Sequence, residues 1–177
     1  MVRANRALPG STKPGCIIPE ALPVMLYKLN GPFLELAKHI AAAQKSRLVG
    51  AYSEKGKKAT VLNCLVDAGK VKQNRDRSCP TGRGAYPRPA GKSCDEYLFA
   101  STYQGAKTAN SDTSPSALRR TLSRCRLPRA VPRTEPGARA TACMINAKQN
   151  SDGGRALDNF YVDQRVLDKD AFHVWIK

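Results

Sequence analysis

Histidine is nearly absent: the 177 residues hold two, His39 and His173, and one tryptophan. Acidic side chains are scarce, with 14 Asp and Glu against 30 Lys and Arg. No run of about 18 apolar residues occurs, so no membrane span is expected. The opening "MVRANRALPGSTKPGC" is basic but has no apolar h-region, and does not read as a signal peptide. The chain is therefore expected to be a trimmed mature fragment or domain, or to stay inside the cell. No G-x-S-x-G, Walker or HExxH pattern appears, which leaves serine-hydrolase, P-loop and zincin chemistry without support. No C-x-x-C pair exists and no His lies near a Cys at zinc-finger spacing, so a zinc site is not expected.

What is there is positive charge. The formal net charge of +16 attracts polyanions at long range, nucleic acid first and anionic membrane surface second. The length suits one domain able to bury a core. Cysteine is even in number: Cys16, Cys64, Cys79, Cys94, Cys125 and Cys143. Three disulfides are expected, which leans toward export, with six buried thiols as the alternative. Cys79–Cys94 and Cys125–Cys143 are the favoured pairs, because each brackets a Pro- or Gly-rich loop that a staple would restrain.

Residues 1–23 read as an extended arm and 24–177 as a single domain. "GPFLELAKHIAAAQKS" predicts a helix opened by Pro32, with Phe33, Leu36, Ala37 and Ile40 on one face. Residues 58–66, "KATVLNCLV", predict a strand, and 67–93 a loop rich in Gly, Pro and cations. "LRRTLSRCRLPRAVPRTEPGAR" carries seven arginines against one glutamate, with prolines that break any helix. It reads either as a solvated loop or as a phosphate-contacting flap. "ACMINA" predicts a strand, "KQNSDGG" a turn, and 155–166 an amphipathic helix with Leu157, Phe160, Tyr161 and Gln164 along one stripe, capped by Ser151 or Asp152. "AFHVWI" (171–176) alternates as a strand does. The class expected is α+β: a small antiparallel or mixed sheet, two main helices, and long disulfide-restrained loops.

Candidates for chemistry are few. His39 lies beside the apolar stripe of the first helix, where a structural role is expected, and His173 alternates with core positions, where an outward, solvated histidine is expected. Asp95 and Glu96 stand side by side in "SCDEYLFASTYQGA", and Asn150 lies near the start of the last helix. Adjacent carboxylates on a strand point to opposite faces, so one can work while the other supports it. Near a phosphate, carboxylates hold a divalent metal or take a proton from water. Asn150 offers a neutral hard-cation ligand.

"CDEYLFASTYQGA", "CMINAKQNSDGG" and "LDNFYVDQRVLDKDAFHVWI", with "PEALPVMLYKLNGPFLELAKHIAAAQ" and "NRDRSCP" upstream, resemble the NucA/NucB deoxyribonuclease family in its larger actinobacterial-type form. The resemblance covers most of residues 16–177. It implies a secreted, sequence-nonspecific endonuclease with a ββα-metal-like catalytic core, in which an activated water attacks a metal-bound phosphate of DNA. Asp95, Glu96 and Asn150 take the catalytic positions, Glu96 and Asn150 the metal, with Mg or Mn expected. The family's H-I pair falls on His39 and Ile40. Where the family usually has Pro after the motif's aromatic residue, this chain has Leu98. Many ββα-metal enzymes use a histidine base, but none lies in this motif, so the base falls to a carboxylate or a more distant residue. Phosphate contacts are expected from Arg75, Arg77, Lys92, Arg119, Arg120, Arg124, Arg126, Lys148 and Arg165. A monomer is expected, with DNA as partner and an inhibitor or immunity protein as a further one. The competing readings are a non-catalytic cationic binder of DNA or anionic surface, and a nuclease toxin domain cut from a larger secreted protein.

Overall fold

The computed structural model describes residues 2–5, 14–18, 20–53, 59–82, 85–107, 119–122, 124–125, 127, 131–132 and 140–177. Alternation of Phe172, Val174 and Ile176 with His173 and Trp175 produces the strand expected at the C-terminal end, β9 (Ala171–Ile176). It is the centre of a three-stranded sheet. β3 (Val24–Tyr27) runs parallel to it and β4 (Leu62–Asn63) antiparallel. The strand expected over 58–66 is thus short, and Cys64 continues it as a bridge to Thr102.

The second sheet has four strands. β5 (Lys92–Tyr97) pairs antiparallel with β8 (Ala140–Asn146), β6 (Arg119–Thr121) runs parallel to β8, and β7 (Val131–Pro132) runs parallel to β6. β5 is therefore an edge strand. The arm carries β1 (Arg3–Asn5) and β2 (Gly15–Ile17), an antiparallel pair tied to the body where the Arg3 guanidinium binds Asp170 and the Arg165 carbonyl.

The apolar stripe of the first helix, α1 (Leu34–Lys45), buries Leu36, Ala37, Ile40 and Ala43 in the main core. That core also includes Met25, Tyr27, Leu62, Tyr97, Leu157, Phe160, Phe172 and Val174.

Three helices form among the described residues, not two. The stretch expected as loop contains α2 (Ala68–Ser78), opened by Asp67, whose carboxylate accepts the Lys70 N–H at 2.9 Å. It has no apolar stripe: its buried residues are Asn74 and Ser78. Tertiary polar bonds hold it. Asn74 Nδ2 donates to the carbonyls of Ala100 (2.8 Å) and Thr102 (3.2 Å), and its Oδ1 accepts from the Lys107 N–H.

"KQNSDGG" is no turn either. It forms the first turns of α3 (Ala147–Asp163), capped by Asn146, whose side chain accepts the Gln149 N–H at 3.0 Å. Ser151 and Asp152, expected as caps, are interior. Paired glycines punctuate most sequences because each costs a helix about 1 kcal/mol. Here Gly153 is where α3 crosses α1. A Cβ on it would sit 2.2 Å from a Leu36 methyl, and its carbonyl accepts the Tyr27 hydroxyl at 2.9 Å. Leu157 and Phe160 face the core as the stripe requires, while Gln164 ends the helix and is exposed.

Two of the three expected disulfides are present, Cys79–Cys94 and Cys125–Cys143. The third is not: Cys16 is an exposed thiol on β2 and Cys64 a buried one. Burial pushes the Cys64 thiol up to about 12, so it stays protonated and inert. No helix among the described residues is long and apolar enough to cross a membrane.

Candidate active site

β5 delivers the two carboxylates. Residues alternate across a strand, so Asp95 and Glu96 leave opposite faces. Because β5 is an edge strand, both still border the space along its free side. That space is a cavity of about 600 Å³ between β5, α2 and α3, with Asp95, Glu96, Asn150, Arg75, Arg155 and Asp158 in its lining.

An edge strand presents unpaired carbonyls that need partners. Asn150 supplies one. Its Nδ2 donates to the Cys94 carbonyl at 3.0 Å and to Ser93 Oγ at 2.9 Å. With the amide nitrogen so fixed, Oδ1 is the end left for the cavity. Asn150, Gly154 and Asp158 follow one another at four-residue spacing on α3 and all line the cavity, so Asn150 and Asp158 share the cavity side of the helix.

Asp95 is buried against α1. Its Oδ2 meets His39 Nδ1 at 2.5 Å, and His39 Nε2 meets Thr141 Oγ1 at 2.9 Å. The Thr141 hydroxyl spends its single proton on the Tyr97 carbonyl at 2.7 Å. It can then only accept from His39, so Nε2–H donates to Thr141, and the short contact of Nδ1 with Asp95 Oδ2 requires one further proton between those two atoms. His39 is structural in being buried. Its ring is also the contact that fixes Asp95.

Glu96 is half-buried on the other face, beside the Cys79–Cys94 disulfide, with Cys79 Sγ 3.7 Å from Oε2. Desolvation, and then the neighbouring Asp95 charge, push its carboxyl up from 4.5 to about 8. Arg75 and the Ala100 N–H pull the other way and are outweighed. Burial also raises Asp158, against the pull of Arg75. A carboxyl that keeps its proton near neutrality is one that a divalent cation can claim by displacing that proton.

The fit to a metal is a sparse one. Among the described residues no group of three or more His, Cys, Asp and Glu side chains is arranged to hold an ion. Glu96 and the Asn150 carbonyl give two hard oxygen donors on one cavity. That matches the habit of Mg²⁺, which takes one or two protein oxygens and fills its shell with water and phosphate.

The other expected phosphate contacts scatter. Arg75 lines the cavity and is exposed; Arg77 follows it on α2, half-buried. Lys92 is paired with Glu35 at 2.8 Å, and Lys148 with Asp152 at 2.5 Å. Arg165 is buried away from the cavity, its guanidinium filling the space over Gly15, so it offers no open surface for DNA. Arg119 and Arg120 lie on β6, Arg124 is exposed, and Arg126 lies outside the described residues. Leu98 is buried, and the Tyr97–Leu98 peptide is cis.

Sequence reading missed Thr141, Arg155 and Asp158. Thr141 is found only through register, since it faces Tyr97 across the β5–β8 ladder. Arg155 and Asp158 carry no local signal, because both belong to the ordinary polar side of an amphipathic helix. No family model, curated protein or solved structure matches this chain.

Proposed function

We propose that this protein is a metal-assisted, sequence-nonspecific endonuclease acting on DNA. One observation carries the reading: Asp95, Glu96 and Asn150, picked out by their motifs, meet on a single cavity that Arg75 also lines. The antiparallel β5–β8 pair, with α3 following β8 directly, supports a ββα-type frame for it.

Glu96 and the Asn150 carbonyl would hold Mg²⁺ or Mn²⁺, which when bound supplies charge neutralisation at the phosphate. Arg75 at the rim orients the anionic backbone. Asp95, held by His39 through one oxygen, presents the other to accept a proton from the attacking water. The net charge of +16 gathers the polyanion around a site whose own carboxylates would otherwise repel it. The two disulfides fit an extracellular protein. An inhibitor or immunity protein would accompany the enzyme if it acts as a toxin domain.

Nicking of supercoiled plasmid in Mg²⁺ or Mn²⁺, against the same reaction in EDTA, tests the reading. Asp95→Asn and Glu96→Gln should each lower nicking by about 100-fold or more with little change in DNA affinity. Asn150→Ala should lose activity that excess metal partly restores. Full nicking by both carboxylate variants sinks the assignment. Tight DNA binding by wild type without any metal-dependent nicking makes the protein a cationic binder instead.

A further inference from the structure

The three-stranded sheet has a second face. Along β3, Met25 and Tyr27 point into the core, and Tyr27 also borders the cavity described above. Leu26 and Lys28 must then point the other way. There they border a concavity of about 560 Å³ together with Leu29, Asn30, Trp175 and Lys177.

Its floor is built. Leu26 and Trp175 are cross-strand partners in the β3–β9 register and so share this face. Tyr52 packs on Trp175 at 5.2 Å between ring centroids and on His173 at 5.9 Å, and His173 Nδ1 lies 3.0 Å from the Thr60 carbonyl. The rim is fixed by backbone bonds, Lys177 N–H to the Tyr27 carbonyl and Leu29 N–H to the Lys177 carbonyl. Leu26 and Leu29 are 40% and 44% exposed. Lys177 Nζ lies 5.2 Å from the centre of the Trp175 ring. Among the described residues, no Asp or Glu side chain lines the concavity.

A ring platform flanked by apolar surface and two ammonium groups has the chemistry of a single-strand site. Bases stack on the aromatic face whatever their sequence, and lysines follow the phosphates. We propose that this concavity binds an unpaired stretch of nucleic acid, with a base on Trp175 and the flanking phosphates on Lys28 and Lys177. Lys177 moves from ring to phosphate as the strand enters. A duplex keeps its base faces stacked inside and cannot use the ring. An acidic peptide would meet the lysines but leave the ring and leucines unexplained.

The chain's only tryptophan is this residue, so its fluorescence reports the surface directly. Wild-type protein is titrated in EDTA with a ten-nucleotide oligo-dT, so that cleavage plays no part and the outcome is independent of the nuclease reading. Saturable quenching is expected, weakened by salt, and weaker with a blunt duplex of the same length. In anisotropy with labelled oligo-dT, Trp175→Leu should bind about 10-fold more weakly, within the range for loss of one stacked base. Lys28→Gln with Lys177→Gln should flatten the salt slope by about 1 to 1.4 units on a single strand. Oligonucleotide binding that leaves Trp175 emission unmoved overturns the proposal. So does quenching by polyglutamate or by anionic lipid vesicles that oligo-dT does not reproduce.

Discussion

Glu96 offers the sharpest test of the site, because its state can be read without any substrate. Its carboxyl sits near 8 in the folded chain against an ordinary 4.5. Between those values the folded protein binds a proton that the unfolded chain has released. Stability must then fall as pH rises through that window, and level off above it. At about 1.36 kcal/mol per unit, the full shift sets a ceiling of about 5 kcal/mol. The side chain is only half-buried, so water screens it, and about 2 kcal/mol is the expected loss. In a chain of this size that is a fall in Tm of roughly 4–8 °C between pH 5 and pH 9. Other groups titrate too, so the measurement is a difference. Glu96→Gln mimics the protonated acid and should lack this component, leaving wild type the less stable of the two at pH 9 and the two close to level at pH 5. Millimolar Mn²⁺ should restore wild type at pH 9 and do little for the variant, since the ion takes the place of the missing proton. Parallel pH curves for the two proteins would show that Glu96 is solvated and that the cavity does not hold its proton.

The Cys79–Cys94 bond ties the end of α2 to β5 beside Glu96. Cys79→Ser with Cys94→Ser should therefore lower nicking more than the Cys125–Cys143 double replacement does, and the ratio of initial rates checks it. Gly50 has φ +99° and lies against the Tyr97 hydroxyl and Leu62, at 2.6 and 2.7 Å from where a Cβ would stand. Gly50→Ala should cost about 1–3 kcal/mol in urea unfolding, and an unchanged midpoint would mean that this turn yields. Arg75→Gln with Arg155→Gln should raise KM and flatten the salt dependence of DNA binding by about 1 to 2 units. If kcat falls in proportion instead, the arginines act on the transition state and not on binding alone.

Sequence by itself determined the elements whose burial has a period. Leu36, Ile40 and Ala43 wrote α1, Leu157 and Phe160 the later turns of α3, and Phe172, Val174 and Ile176 wrote β9. The α+β class follows from those. The two disulfide pairs were favoured because each brackets a Pro- or Gly-rich loop, but only the fold selects them from the fifteen pairings six cysteines allow. The D-E motif was also visible, as adjacent carboxylates in so basic a chain, and Asn150 by its place near the start of the last helix. Tertiary structure decided the rest. It kept α2 helical without an apolar stripe, because Asn74 finds three backbone partners that lie 26 to 33 residues away. It made "KQNSDGG" helical, because Gly153 lets α3 press on Leu36, a gain no local propensity contains. It left Cys16 and Cys64 as thiols, although their number was even. It set His39 against Asp95, 56 residues apart, through the crossing of α1 with β5 and the register that brings Thr141 opposite Tyr97. It buried Arg165 and paired Lys92 with Glu35, withdrawing two cations that composition counts as available. Periodicity reports which face of an element is dry, whereas partners across a fold are chosen by packing, and a single chain of letters does not encode that choice locally.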